Sequence, residues 1–373
     1  MHVFWDKSFL IGTENRTVEK KRDSNIELFR IIVMFLIVAH HFIVNSSLPS
    51  VLSTFPTTFK TNLFCVLGMW GKTGINCFIL ITGYFMCTSQ ITLKKFLKLF
   101  FQIEFYSITI SLCFFLANYE QYSVKMLLLD LFPIKSVSSG FVDCFLIFWL
   151  LIPFLNKFIR SLNQRQHLYL IVILFFSYVL MRFFPGAEIT LNYVSWFVFL
   201  YFIASYIRLY LDETLKKLGE AKIALAAAVS ILVSIVSVIA LLQIAAKGII
   251  PFSMSRIYYF VSDVNAPMAL TTSILVFVFF KNLRLGYNPF INFVARTTFG
   301  ILLLHAHCDA MRHLIWFDIF NAEQIFFKDW SILRSLLAIL TVFFAGVFVD
   351  TIRLYCFEKP LFYAISKYKR TTI

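Results

Sequence analysis

SNIELFRIIVMFLIVAHHFIV, residues 24–44, is the stretch whose reading decides the fold. At about 1.5 Å per residue it is long enough to cross a hydrocarbon core of roughly 30 Å as one helix. Its only ionisable residues are Glu27, Arg30, His40 and His41. Each step along a helix turns about 100°, so Arg30 and His41, eleven positions apart, return to nearly the same face. Glu27 falls within roughly 40° of that face and Met34 lies between, whereas His40 points about 100° away from His41. Ionisable groups in lipid cost several kcal/mol on most scales, so they turn toward a bundle interior, a partner or an aqueous cavity. The stripe Glu27, Arg30, Met34, His41 is therefore the first candidate functional face. The same spacing also fits Arg30 reaching one set of headgroups and His41 lying at the opposite interface, and it leaves both readings open.

The rest of the chain repeats this pattern. Of 373 residues, 60% are hydrophobic and 14% charged, and the mean hydropathy is +0.79, far from a soluble domain. The expected class is an all-α integral membrane protein of about ten transmembrane helices. They are placed near 26–45, 74–88, 97–117, 140–158, 168–184, 191–210, 222–246, 262–280, 298–315 and 332–357. Barrel strands would be shorter and would alternate. Most of the 34 Lys and Arg fall in the N-terminal segment, in alternate connections such as KKFLK (94–98) and RSLNQRQ (160–166), and in the KYKR tail. By the positive-inside rule both termini are cytoplasmic. The organisation expected is a cytoplasmic segment 1–24, one polytopic domain 25–363 and a basic cytoplasmic tail 364–373, with no removable signal peptide and no second soluble domain.

Topology explains the formal charge of +14, so no nucleic-acid partner is expected. The cysteines, at 65, 77, 87, 113, 144, 308 and 356, show neither CxxC nor a paired rhythm, and no metal site or disulfide framework is expected. Phosphate-binding glycine loops, nucleophile elbows, zinc helices and dinucleotide fingerprints are absent from the sequence, which removes the support for nucleotide hydrolysis and metalloproteolysis. Imidazoles are the main titratable groups left, and proton transfer is the chemistry they offer.

Two further clusters and one lone acid stand out. In TTFGILLLHAHCDAMRH (297–313), His305, Asp309 and Arg312 share a face if one helix continues through them. Asp309 could then orient His305, or it could form an interfacial pair with Arg312. In VDTIRLYCFEKPLF (349–362), Asp350 and Arg353 read as an internal ion pair ahead of a helix stop at Pro360, with Glu358 and Lys359 at the helix end. Asp143 is a lone acid opening the fourth span.

Taken together these segments resemble the acyltransferase 3 family of polytopic membrane O-acyltransferases. The resemblance rests on Arg30 followed by ten residues and His41, on NCFILITGYFM (76–86) in the second span, and on LIPFLNKFI (151–159) in the fourth. FGILLLHAHCDAMRHLIW (299–316) and FEKPLF (357–362) extend it over nearly the whole chain. Two departures are Thr82-Gly83 in place of the family's Ser-Gly, and Asp143 alone where many members carry an aromatic-rich stretch with a Glu.

The resemblance implies a cytoplasmic acyl-CoA donor, with acetyl-CoA as the family default. The implied acceptor is a hydroxyl of a surface polysaccharide, cell-wall glycan or lipid-linked sugar facing outward from the cytoplasmic membrane among its lipids. It assigns essential roles to Arg30 and His41, and matches His305 and Glu358 to recurrent positions. The mechanism expected holds CoA phosphates near Arg30 and Glu27, uses His41 as base, and has His305, oriented by Asp309, assist without a metal. A transporter of lipid-linked sugars, or a non-catalytic partner in glycan synthesis, would use the same polar faces; the absence of repeated halves counts against the first.

Overall fold

The computed structural model describes residues 22–54, 58–132, 134, 140–184, 186 and 189–371. It is 81% helical, without strands among the described residues. Nine of the described helices are long and apolar enough to span a membrane: α1 Ser24–Val44, α2 Phe59–Met86, α3 Leu93–Leu116, α4 Phe141–Ser161, α5 Gln164–Phe183, α6 Tyr193–Leu218, α7 Glu220–Ala246, α9 Pro289–Ala306 and α10 Ser331–Lys367. The shorter apolar helix Pro267–Asn282 is α8, making ten in all. The first span is the hub, packed by α2, α8, α9 and α10. Met34, Val38, Ala39 and Phe42 on it are completely buried. Outer helices show the opposite pattern: Leu225, Leu232 and Val236 of α7 and Phe344 and Phe348 of α10 are exposed, as side chains bathed in lipid should be.

Several boundaries differ from the sequence reading. The second helix begins at Phe59 rather than 74, because Thr58 caps it by accepting from the Thr61 amide and Lys60, Thr61 and Asn62 mask the apolar period of its first turns. It bends at Met69-Trp70 before resuming at Gly71. The basic stretch 212–221, left between the expected spans 191–210 and 222–246, is helical except for Gly219, whose φ of +84° makes the whole turn between α6 and α7. The last helix does not stop at Pro360: a π-helical segment, Arg353–Glu358, precedes it, and helix resumes over Lys359–Thr371. Widening the turn there avoids the clash a proline ring makes with the carbonyl one α-turn earlier.

The ninth helix matters most. It was expected over 298–315 and lies nine residues earlier. Asn288 accepts from the amides of Phe290 and Ile291, and Pro289 occupies the first turn, a strong start signal. The polar residues Asn292, Arg296, Thr297 and Thr298 concealed that start. The helix ends at Ala306, Cys308 is extended (φ −144°, ψ 169°), and a separate short helix, Asp309–His313, begins there.

Close backbone approach sets the remaining frame. A Cβ at Gly300 would collide with the Asp350 carboxylate, and one at Gly346 would lie 3.0 Å from the Ile301 Cα, so α9 and α10 cross at glycine on both sides. Gly83 plays the same part between α2 and α6, where an added Cβ would sit 2.9 Å from Ala204.

Candidate functional site

At the end of α1 remote from its N-terminus, two histidines distant in sequence meet. His41 Nδ1 lies 2.8 Å from His305 Nε2, and His305 Nδ1 lies 2.6 Å from the Ile301 carbonyl oxygen. That carbonyl can only accept, so His305 Nδ1 carries its proton, and the neutral ring then offers Nε2 as an acceptor. His41 must donate from Nδ1 to fill it. The network thereby leaves His41 Nε2 as a lone pair without a hydrogen-bond partner among the described residues. A directional chain, His41 to His305 to main chain, fixes one tautomer of the outer imidazole. His305 is completely buried and Trp316 stands edge-on to its ring, whereas His41 is half-buried. His40 is fixed separately, its Nδ1 2.5 Å from the Gly68 carbonyl. Gly71 lies so close beneath the His40 ring that a Cβ there would overlap it.

His40 and His41 form part of the wall of a cavity of about 370 Å³. Its other walls come from α2 (Gly71, Lys72, Phe78), α3 (Ser107), the start of α4 (Gly140, Asp143) and the end of α9. The connection after α3 closes one side and is clamped: Ser107 donates to the Asp130 main-chain oxygen at 2.7 Å, and Ser111 and Tyr122 both donate to the Asp130 carboxylate. Burial, and then Asp130, push the Tyr122 phenol up to about 12, so it remains a donor across the ordinary pH range.

The sequence-predicted residues divide. His41 and His305 come together. Arg30 stays at the other end of α1, about 16 Å along the axis at 1.5 Å per residue, with Nε 3.2 Å from Glu27 Oε2. Glu27 is buried and also faces Arg22 at 3.4 Å. The Arg30 guanidinium sits 5.9 Å from the centre of the Phe78 ring. Phe78 also lines the cavity, within a cluster with Phe141, Phe145 and Phe299. Aromatic rings thus separate the arginine from the histidines.

Asp309 does not take the place expected of it. Its side chain is 94% exposed and pairs with Arg312, while Ile301 orients His305. Extended backbone at Cys308 breaks the register by which one continuous helix would put Asp309 above His305.

Asp350, Arg353 and Glu358 form a second buried cluster. Arg353 donates from Nε to Asp350 at 2.6 Å and from a terminal nitrogen to Glu358 at 2.5 Å. Tyr106 and Gln102 of α3 donate to Asp350 at 3.0 and 3.1 Å. It is absent from the cavity wall. The second-span motif is scaffolding too: Asn76 donates to the Val264 carbonyl and accepts from Trp196, each at 2.8 Å. Thr82 bonds back to its own helix at Phe78.

Sequence reasoning overlooked Lys72 as a site residue. Its Nζ donates to the Tyr193 hydroxyl at 2.8 Å beside the cavity. The available signal was a lone Lys directly before an apolar run.

A helical membrane bundle with a tautomer-locked imidazole pair beside a cavity is equipped for proton transfer inside a membrane. The chain belongs to the acyltransferase 3 family, whose acyltransferase-domain model matches residues 23–351. No curated protein and no solved structure matches it. The protein is accordingly a multi-pass membrane acyltransferase.

Proposed function

We propose that this protein moves an acyl group, acetyl by default, from cytoplasmic acyl-CoA to a hydroxyl of an outward-facing glycan or lipid-linked sugar in the cytoplasmic membrane. The observation that carries the reading is the His41–His305 pair on the cavity wall. With both termini cytoplasmic, that end of α1 faces outward and Arg30 faces the donor. His41 Nε2 takes the proton of the acceptor hydroxyl as its oxygen attacks the thioester carbonyl. The C–S bond breaks, the acyl group stays on the acceptor oxygen, and CoA leaves as thiolate and recovers a proton. His305 acts through His41, holding Nδ1–H in place and stabilising the imidazolium that forms, as the third member of a catalytic triad does. Arg30, set in its ion pair with Glu27, holds phosphates of the donor, and the Phe78 cluster lies between that position and the base.

The test is mass spectrometry of surface glycans, together with free-thiol release from acetyl-CoA by membranes, for wild type, His41→Ala and cells lacking the gene at matched protein levels. An acyl increment and thiol release seen only with wild type support the proposal. Unmodified glycans throughout, or the same product from His41→Ala, would sink it in favour of transport or a scaffold role.

A further inference from the structure

Lys72 is the charged group on the cavity wall that the fold leaves least compensated. The ammonium is half-buried in a chain that spans a membrane. It makes no ion pair among the described residues; its contacts are the Tyr193 hydroxyl at 2.8 Å and the Tyr193 ring face at 5.4 Å. The other basic side chain on the wall, Arg312, is held by Asp309. The wall's carboxylate, Asp143, is not within ion-pair distance of Lys72. A desolvated cation with no ion-pair partner among the described residues is costly, and an oxyanion delivered through the cavity would offset that cost. Tyr193 limits where the ammonium can point, and the neighbouring wall residues His40, His41 and Gly71 put this charge in the same chamber as the proposed base.

We propose that Lys72 is an anion-binding subsite and that the acceptor is an acidic sugar, bearing a carboxylate or a phosphate, held by that group while one of its hydroxyls meets His41. The subsite deepens the proposed acyl transfer and rests on it for the meaning of "acceptor". The same chemistry could come from the phosphates of the donor, so the two sources must be separated.

Purified full-length protein in nanodiscs is titrated, without acyl donor, with glucuronate, glucose 1-phosphate, glucose and coenzyme A, and binding is read by saturation-transfer NMR. Wild type is expected to bind at least one acidic sugar and not glucose. Lys72→Gln should weaken that binding roughly tenfold or more, the scale of one charge-assisted hydrogen bond. Lys72→Arg should largely keep it, and coenzyme A binding should be equal in all three. Tyr193→Phe, which keeps the cation and frees it, should weaken it by a smaller factor and serves if Lys72→Gln is poorly folded. The proposal is overturned if neither acidic sugar binds wild type, if glucose binds as well, if neither Lys72→Gln nor Tyr193→Phe changes the affinity, or if coenzyme A is the ligand lost. Lys72-dependent binding with no transfer from acetyl-CoA would sink the acyl-transfer reading and leave the subsite standing. Transfer with no Lys72-dependent binding would do the reverse.

Discussion

The Arg353 cluster and the His41–His305 pair are both polar groups inside this bundle, and they are built to opposite ends. Around Arg353, both carboxylates are bonded to the guanidinium, Tyr106 and Gln102 fill further positions on Asp350, and the glycine crossing at Gly300 closes over it. Among the described residues all three guanidinium nitrogens and both Asp350 oxygens are engaged, and Lys98 faces Glu358 at 3.6 Å. At the other cluster the bonding chain runs inward from His41 and ends on main chain, leaving a lone pair and an ammonium at a cavity. In a membrane interior, where unsatisfied polar groups are costly, complete satisfaction marks a structural knot and directed incompleteness marks a site.

The contrast breaks most readily at its structural half. Arg353→Met takes the guanidinium from two buried carboxylates, leaving Glu358 only the half-exposed Lys98 at 3.6 Å, and breaking a buried pair costs about 3–5 kcal/mol. Thermal unfolding in detergent should fall sharply, with activity lost in step with folded protein. An Arg353→Met protein that is as stable as wild type but inactive would move Arg353 into the chemistry. His41→Ala should do the converse, with unfolding temperature near wild type and turnover reduced roughly 10²–10⁴-fold, the range of a general base. A smaller loss is expected at His305, where side-chain chemistry can be separated from bulk. His305→Gln keeps an acceptor for His41 and should retain clearly more turnover than His305→Ala. In a His41→Ala background the two should be equal, since a positioning residue has nothing left to position. Equal losses in the His41-containing proteins would show that His305 serves only as packing. The smallest effect belongs to Asp309→Asn, less than about twofold in turnover, because an exposed ion pair contributes little; a loss matching that of His305 would restore the role the structure denies it.

How much of this was legible depends on how far each signal extends along the chain. Class and approximate span number follow from apolar runs, a local property, and so does the shared face of Arg30 and His41. The pairing of His41 with His305 joins residues 264 positions apart; the sequence marks each as a candidate on its own helix, and nothing local brings the two together. The misplacement of α9 arose from weighting hydrophobicity over capping: Asn288-Pro289 announces the start, yet Asn292 and Arg296 made the first turns look like loop. The break at Cys308 carries no Gly or Pro, so a helical wheel drawn through it put Asp309 on a face that does not exist. Nothing in the neighbours of Lys72 in the sequence shows that α6 brings Tyr193 to it.

Ile301 supplies the oxygen that holds His305, and it does so from the peptide backbone. A triad whose third member is an aspartate can lose it through one codon change; here no such change deletes the acceptor. The genetic target for inactivating the pair therefore shrinks to its two imidazoles. A saturation scan should show sharp intolerance at 41 and 305. At 301 the restriction should come only from the side chain's fit against Gly346, so this position can drift in sequence while the proton on its neighbour stays where it is.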